Sequence, residues 1–215
     1  MAKSYLSFLG RKKSVVICNP ITGNLPKPHE GERERRIVNW CRLDNQKNLD
    51  LLIDAFRDIT DDFPEYVLYI YGEGPERKRL EQKIKDIKLE EKIFLPGHSN
   101  NIYDEVLKAA LFVSSSDYEG ISNSMLEAIA LGIPTICTNC PVGGAREVIE
   151  DGINGLLIPV GDKNALKDAM VKVLTNEQFS KSLSKNGIML REKISAKKIA
   201  EQWEEYIYEI LKNNR

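Results

Sequence analysis

From residue 36 onward, short apolar runs alternate with longer amphipathic stretches. Arg36 to Cys41, Tyr66 to Tyr71, Ile93 to Leu95, Leu111 to Ser114, Pro134 to Thr138 and Gly155 to Val160 read as strands: brief, rich in β-branched and aromatic side chains, bounded by turn residues. Between them the apolar period changes to that of a helix. Leu51, Leu52, Ala55, Phe56 and Ile59 share one face of a helix over Leu49 to Ile59, and Leu80, Ile84 and Ile87 do so within Glu76 to Ile87. Further helices are predicted over Ile102 to Ala109, Asn123 to Leu131 with Gly132 as its stop, Ala165 to Leu174 and Gln178 to about Leu190. Nearly all-apolar strands alternating with helices imply an α/β doubly wound parallel sheet, covered on both faces and joined by right-handed crossovers.

The edges read differently. Val15 to Cys18 predicts one more short strand, followed by a charged, proline-bearing linker to about Arg35. A helical tail over Ala196 to Leu211 carries a stripe of Ile199, Trp203, Ile207, Ile210 and Leu211. The expected organisation is therefore a preface over 1–35, a Rossmann-like domain over 36–190 and a C-terminal helix over 191–215.

Composition narrows the function classes. With 31 basic and 32 acidic side chains and no basic block longer than Arg11-Lys12-Lys13, the chain lacks the footprint of a nucleic-acid binder. No stretch approaches the ~20 apolar residues of a membrane span, and no signal-peptide pattern opens the sequence. The expected location is cytoplasmic. Ser4 to Lys13 mixes Tyr5, Leu6, Phe8 and Leu9 with a basic end, a composition suited to peripheral attachment at a membrane's inner face. Cys18, Cys41, Cys137 and Cys140 sit in or beside apolar runs and read as reduced core thiols. Cys137 and Cys140 form a C-x2-C with no second pair, and the only histidines are His29 and His98, so no metal site is predicted.

In open parallel sheets ligands bind beyond the carboxyl ends of the strands. Arg42, Gly72, Gly97-His98, Glu119 and Asn139 to Gly144 each follow a predicted strand. The richest of these loops is Ser114 to Ser124: it opens with three serines, holds Glu119 and Gly120, and runs into a helix that Ser122, Asn123 or Ser124 can cap. The free N–H groups of such a helix start favour a phosphate. Glu119 and Glu127 bracket it with seven residues between them, a pair suited to a ligand whose hydroxyls flank phosphates. Two glutamates near a diphosphate repel it, by roughly 4 kcal/mol per contact at 4 Å and an effective dielectric of 20. Cations must offset that, and Arg42 and Lys47 are placed to do so. Gly72-x-Gly74 lacks the third glycine of a dinucleotide fingerprint, Arg77 standing there, and reads as a tight turn.

Glu119 and Glu127, with Gly120 and Leu126-Glu127-Ala128, resemble the E-x7-E motif of retaining GT-B glycosyltransferases of the group 1 type. The order Arg42, Lys47, Gly72-Glu73-Gly74-Pro75, Leu95-Pro96-Gly97-His98, Glu119 to Glu127 and Pro141 to Glu147 is similar to that family from Arg36 to Leu174. One departure is Trp40-Cys41 before Arg42, where the family usually has glycine next to the arginine. The resemblance implies the donor-binding C-terminal half of a GT-B enzyme. In that half Glu119 is the catalytic carboxylate meeting the donor sugar, and Glu127 bonds the ribose. Arg42 and Lys47 flank the diphosphate, and the backbone of Gly120, Ile121, Ser122 and Asn123 holds it. His98 lies by the nucleobase, and Gly143 and Gly144 face the donor.

The reaction implied is sugar transfer with retention from a nucleotide-diphospho-sugar, UDP being the commonest carrier, to a saccharide or lipid-linked acceptor in polysaccharide biosynthesis. No D-x-D occurs, and the resemblance implies metal-independent work with no cofactor. The acceptor is expected to come through an N-terminal domain that this sequence does not include, and the tail stripe to drive self-association. Two other readings stay open: a non-catalytic nucleotide-sugar-binding partner subunit, and a GT-B-shaped epimerase, against which the E-x7-E spacing argues.

Overall fold

A computed structural model of the chain describes Gly10, residues 14–21 and residues 25–213. Six parallel strands form one sheet in the order β3-β2-β1-β4-β5-β6: β1 Glu34–Trp40, β2 Val67–Tyr71, β3 Ile93–Gly97, β4 Ala109–Ser114, β5 Thr135–Thr138 and β6 Leu156–Ile158. The chain winds outward from β1 to β3, then crosses back to lay β4 on the other side of β1. That reversal is the topological switch point of a doubly wound sheet. The α/β class expected from the alternation is the one observed.

Alternate side chains of each strand feed opposite layers. Ile37, Leu68, Ile70, Leu111, Val113 and Ile136 meet α1 (Leu49–Arg57), α2 (Arg77–Asp86) and α6 (Lys163–Thr175) on one face. Val38, Trp40, Tyr71, Phe112 and Cys137 meet α3 (Ile102–Val106), α4 (Asn123–Ala130) and α5 (Gly144–Val148) on the other. Most of these side chains are fully buried, and each large one contributes about 2 kcal/mol relative to exposure. Three more helices follow among the described residues: α7 (Glu177–Ile188), α8 (Leu190–Lys193) and α9 (Ala196–Asn213).

Several expectations are corrected. Val15 to Cys18 forms no strand, because no ladder receives it; the segment reaches only an isolated bridge from Ile21 to Ser195 beside α9. The helix expected over Ile102 to Ala109 stops at Val106, since Ala109 already pairs with Glu34 as the first residue of β4. The helix expected to run to Leu190 breaks at Met189 into α7 and α8. The tail stripe, by contrast, is left largely uncovered, as its expected role in self-association requires: Ile199 is buried, and Trp203, Ile207, Ile210 and Leu211 are exposed. Apart from Gly10, the stretch Ser4 to Lys13 lies outside the described residues.

Arg33 ties the segment before β1 to this scaffold. Its guanidinium donates to the carbonyls of Ala109 at 2.9 Å and Gly132, and to Ser184 Oγ at 3.1 Å, joining the start of β4, the end of α4 and α7. Burial pulls its pKa down to about 10, far enough above neutrality to leave it charged. Removing the donor takes the side-chain partner from the buried Ala109 carbonyl, while the Gly132 carbonyl keeps Ser184 Oγ at 2.6 Å, so Arg33→Ala is expected to cost about 2 kcal/mol. A urea titration would show this as a lower midpoint at unchanged slope.

Candidate functional site

The β1–β4 ladder ends at Val38 and Phe112, but the connection does not. Asn39 Nδ2 donates to the Val113 carbonyl at 2.7 Å, and the two loops that diverge beyond are stitched together above it. The β1 exit loop makes one 3-10 turn, Asn45–Lys47, started by Asp44. Its Lys47 carbonyl accepts from Ser115 Oγ at 2.9 Å, its Gln46 carbonyl from the Asp117 amide at 2.9 Å, and Gln46 Nε2 donates to the Tyr118 carbonyl at 2.7 Å. Asn48 sits in the left-handed region at φ 43°, accepts from the Leu51 amide to cap α1, and donates to Asp117 Oδ1 at 2.7 Å. A third loop buttresses the pair. Thr138 Oγ1 donates to the Ser116 carbonyl at 2.6 Å, and Gly144 packs so tightly that a Cβ there would lie 1.9 Å from the Gly120 carbonyl oxygen.

These loops bring most of the expected residues to the carboxyl edge of β1, β4 and β5. Lys47 Nζ is ion-paired with Glu119, both largely shielded from solvent. Arg42, 72% exposed, makes only a 3.5 Å pair with Asp44, leaving its guanidinium open to solvent. A Cβ at Gly120 would meet no atom within 4 Å, so the residue is open on that side, while its carbonyl lies against Gly144. Ile121 and Ser122 are half-buried and Asn123 exposed at the start of α4. Ser122 is the N-cap, yet no side chain caps the helix: Ser122 Oγ bonds Ser124 Oγ at 2.9 Å instead. The amides of that first turn therefore carry the positive end of the helix dipole without a side-chain acceptor.

Glu127, one turn inside α4, accepts from Trp40 Nε1 at 2.9 Å. His98 is exposed and lines a cavity of about 410 Å3 with Trp40, Arg42, Tyr71, Ser99 and Ile102. Gly143, at φ 80°, starts α5, and Gly144 is buried against the Gly120 peptide rather than open. A recess of about 470 Å3 opens at the amino ends of the strands, but its charges are met by their own neighbours, Arg35 by Glu32 and Lys181 by Glu177. Among the described residues no cluster of His, Cys, Asp or Glu is arranged to hold a metal ion. No described helix is long and apolar enough to cross a membrane.

A family profile described as glycosyl transferases group 1 matches residues 23–189. The chain belongs to that family. It is 32% identical over 185 residues to a poly(glycerol-phosphate) alpha-glucosyltransferase of Bacillus subtilis, a match covering 86% of this chain and 27% of the relative. The fold superposes on a TarM variant from S. aureus, solved with fondaparinux, alpha-GlcNAc-glycerol and UDP, with a TM-score of 0.81 and 26% identity over 89% of this chain and 39% of that one. It also superposes on the pneumococcal O-GlcNAc transferase GtfA, solved with UDP and GlcNAc, at a TM-score of 0.76 and 27% identity, covering 87% and 38%. The chain thus spans well under half the length of these relatives.

Sequence reasoning missed Trp40 and Tyr103 around Glu127, and Asn39, Gln46, Asn48 and Asp117 in the stitching. A signal for Trp40 was present: a tryptophan two residues before Arg42 ends the strand and brings a polar N–H that needs an acceptor. Asn48 gives the sharpest test of the stitching. Asn48→Ala loses the cap and forces alanine into the left-handed region, for a total of about 2 kcal/mol, whereas Asn48→Gly keeps the backbone easy and loses less. Chemical denaturation of both variants would check this order.

Proposed function

We propose that this chain is the donor-binding half of a retaining glycosyltransferase that transfers a sugar from a nucleotide-diphospho-sugar, with uridine as the nucleoside, to a saccharide or lipid-linked acceptor in cytoplasmic polysaccharide biosynthesis. The observation that carries it is the uncapped start of α4 set between Glu119 and Glu127, with Lys47 of the β1 loop paired to Glu119 and the exposed Arg42 guanidinium in the same loop. A diphosphate suits the helix start and the two cations, a ribose suits Glu127, and the sugar falls toward Glu119. UDP in the TarM and GtfA structures supports the uridine reading.

Catalysis then rests on charge. As the bond from the anomeric carbon to the diphosphate breaks, negative charge builds on phosphate oxygens beside Lys47, Arg42 and the α4 amides, which stabilise it without a metal ion. Lys47 is held by Glu119 before the donor arrives, so binding exchanges one carboxylate partner for a diphosphate. Acceptor binding we place in a domain outside these residues. The exposed Trp203, Ile207 and Leu211 stripe of α9 offers that domain, or a second copy of the chain, an apolar face.

Calorimetric titration with UDP, GDP, ADP and their sugar conjugates, with and without magnesium, tests the reading. One nucleoside diphosphate should bind without magnesium, and about tenfold more weakly in Glu127→Ala and Arg42→Ala. Glu119→Gln should bind it no less tightly than wild type, because Lys47 is released, while losing any gain from the attached sugar. Absence of binding by all three nucleotides, with the chain folded, would remove the donor-site reading.

A further inference from the structure

Trp40 closes β1 with its side chain in the layer shared with α4, edge-on to Phe112 at 4.6 Å between ring centroids and only 9% exposed. A buried indole brings one polar atom that needs an acceptor. Here the acceptor is a charge, since Nε1 donates to Glu127 Oε2 at 2.9 Å. Tyr103 of α3 lies near the same carboxylate, and burial, with that negative charge beside it, raises the phenol to about 12. Glu127 is therefore held from β1 while its own backbone belongs to α4.

We propose that Trp40 is a positioning residue for donor recognition: its indole N–H fixes the Glu127 carboxylate so that the remaining lone pairs meet the vicinal diol of a nucleotide ribose. The proposal rests on the donor-site reading above. A free glutamate side chain loses rotamer freedom when it binds, and one already held has lost it on folding. The neutrality of the donor matters as much. Lys47 neutralises Glu119, whereas an indole orients Glu127 and leaves its charge in place for hydroxyl donors. Trp40 also walls the cavity of about 410 Å3 that contains His98 and Ser99, so one side chain borders the space for a base and sets the group that reads the adjoining ribose.

The test uses whichever of UDP, GDP and ADP binds best, its 2′,3′-dideoxy analogue and pyrophosphate, titrated into wild type, Trp40→Phe and Glu127→Gln. Wild type should prefer the nucleotide over its dideoxy analogue by about tenfold. Trp40→Phe and Glu127→Gln should bind the two alike, with pyrophosphate affinity unchanged. Trp40→Phe keeping the preference would overturn the proposal and make Trp40 a core side chain whose N–H merely found a partner. A folded wild type that binds no nucleotide, or shows no preference, would overturn it differently, by removing the ribose from Glu127 altogether. Should Trp40→Phe unfold, β-(3-benzothienyl)alanine at position 40 in a Trp203→Phe background keeps the ring shape without the N–H. The same loss of preference is expected there, and its retention counts against the proposal equally.

Discussion

The crevice exists because two loops leaving adjacent strands in opposite directions are bound to one another before they part. Any doubly wound sheet opens a gap where its strand order reverses, and a gap lined by unpaired backbone would fill with water and lose its shape. Here the Asn39 amide, the Ser115 hydroxyl, the Asp117 amide and the Gln46 and Asn48 side chains continue the β1–β4 connection past the end of the ladder. Lys47 and Glu119 belong to the two sides of that seam. Their approach is thus fixed by hydrogen bonds made by their neighbours, and the ion pair itself need contribute little to holding the loops.

The glycines divide by the same logic. Gly74 and Gly144 are needed because backbone meets backbone: a Cβ would fall 2.1 Å from the Leu43 carbonyl oxygen and 1.9 Å from that of Gly120. They draw the β2 and β5 loops against the two loops of the site. A Cβ at Gly120 would meet nothing, so its missing side chain serves the space outside the protein rather than the packing within it. Glycines that look alike in a loop sequence can therefore build a site or open it, and only the contacts separate the two.

Much of this was legible beforehand for physical reasons. Strand and helix order followed from apolar period, and the edge of the sheet carrying the site followed from topology. The Glu119 and Glu127 pair stood out because its spacing places one carboxylate before a helix start and the other one turn within. What stayed hidden depended on tertiary contact. Nothing local marks Gln46, Asn48 or Asp117 as partners across more than sixty residues of chain. Val15 to Cys18 has strand composition but no strand to pair with, and composition cannot report a missing neighbour. The split of α7 from α8 was equally invisible.

The two glutamates, alike in sequence, are held by opposite means, and their chemistry separates accordingly. Glu119 faces a lysine on a loop and is neutralised until something displaces it. Glu127 is set in a helix and held by the neutral Trp40 indole N–H, which orients its carboxylate without offsetting its charge. An exchangeable carboxylate suits a step in which charge moves, and a fixed one suits recognition of a group that does not change. The seam at the switch point makes the first arrangement and the Trp40 end of β1 makes the second. A single strand terminus, β1, thereby sets both halves of the site through residues seven positions apart, Trp40 through its side chain and Lys47 through the loop that follows.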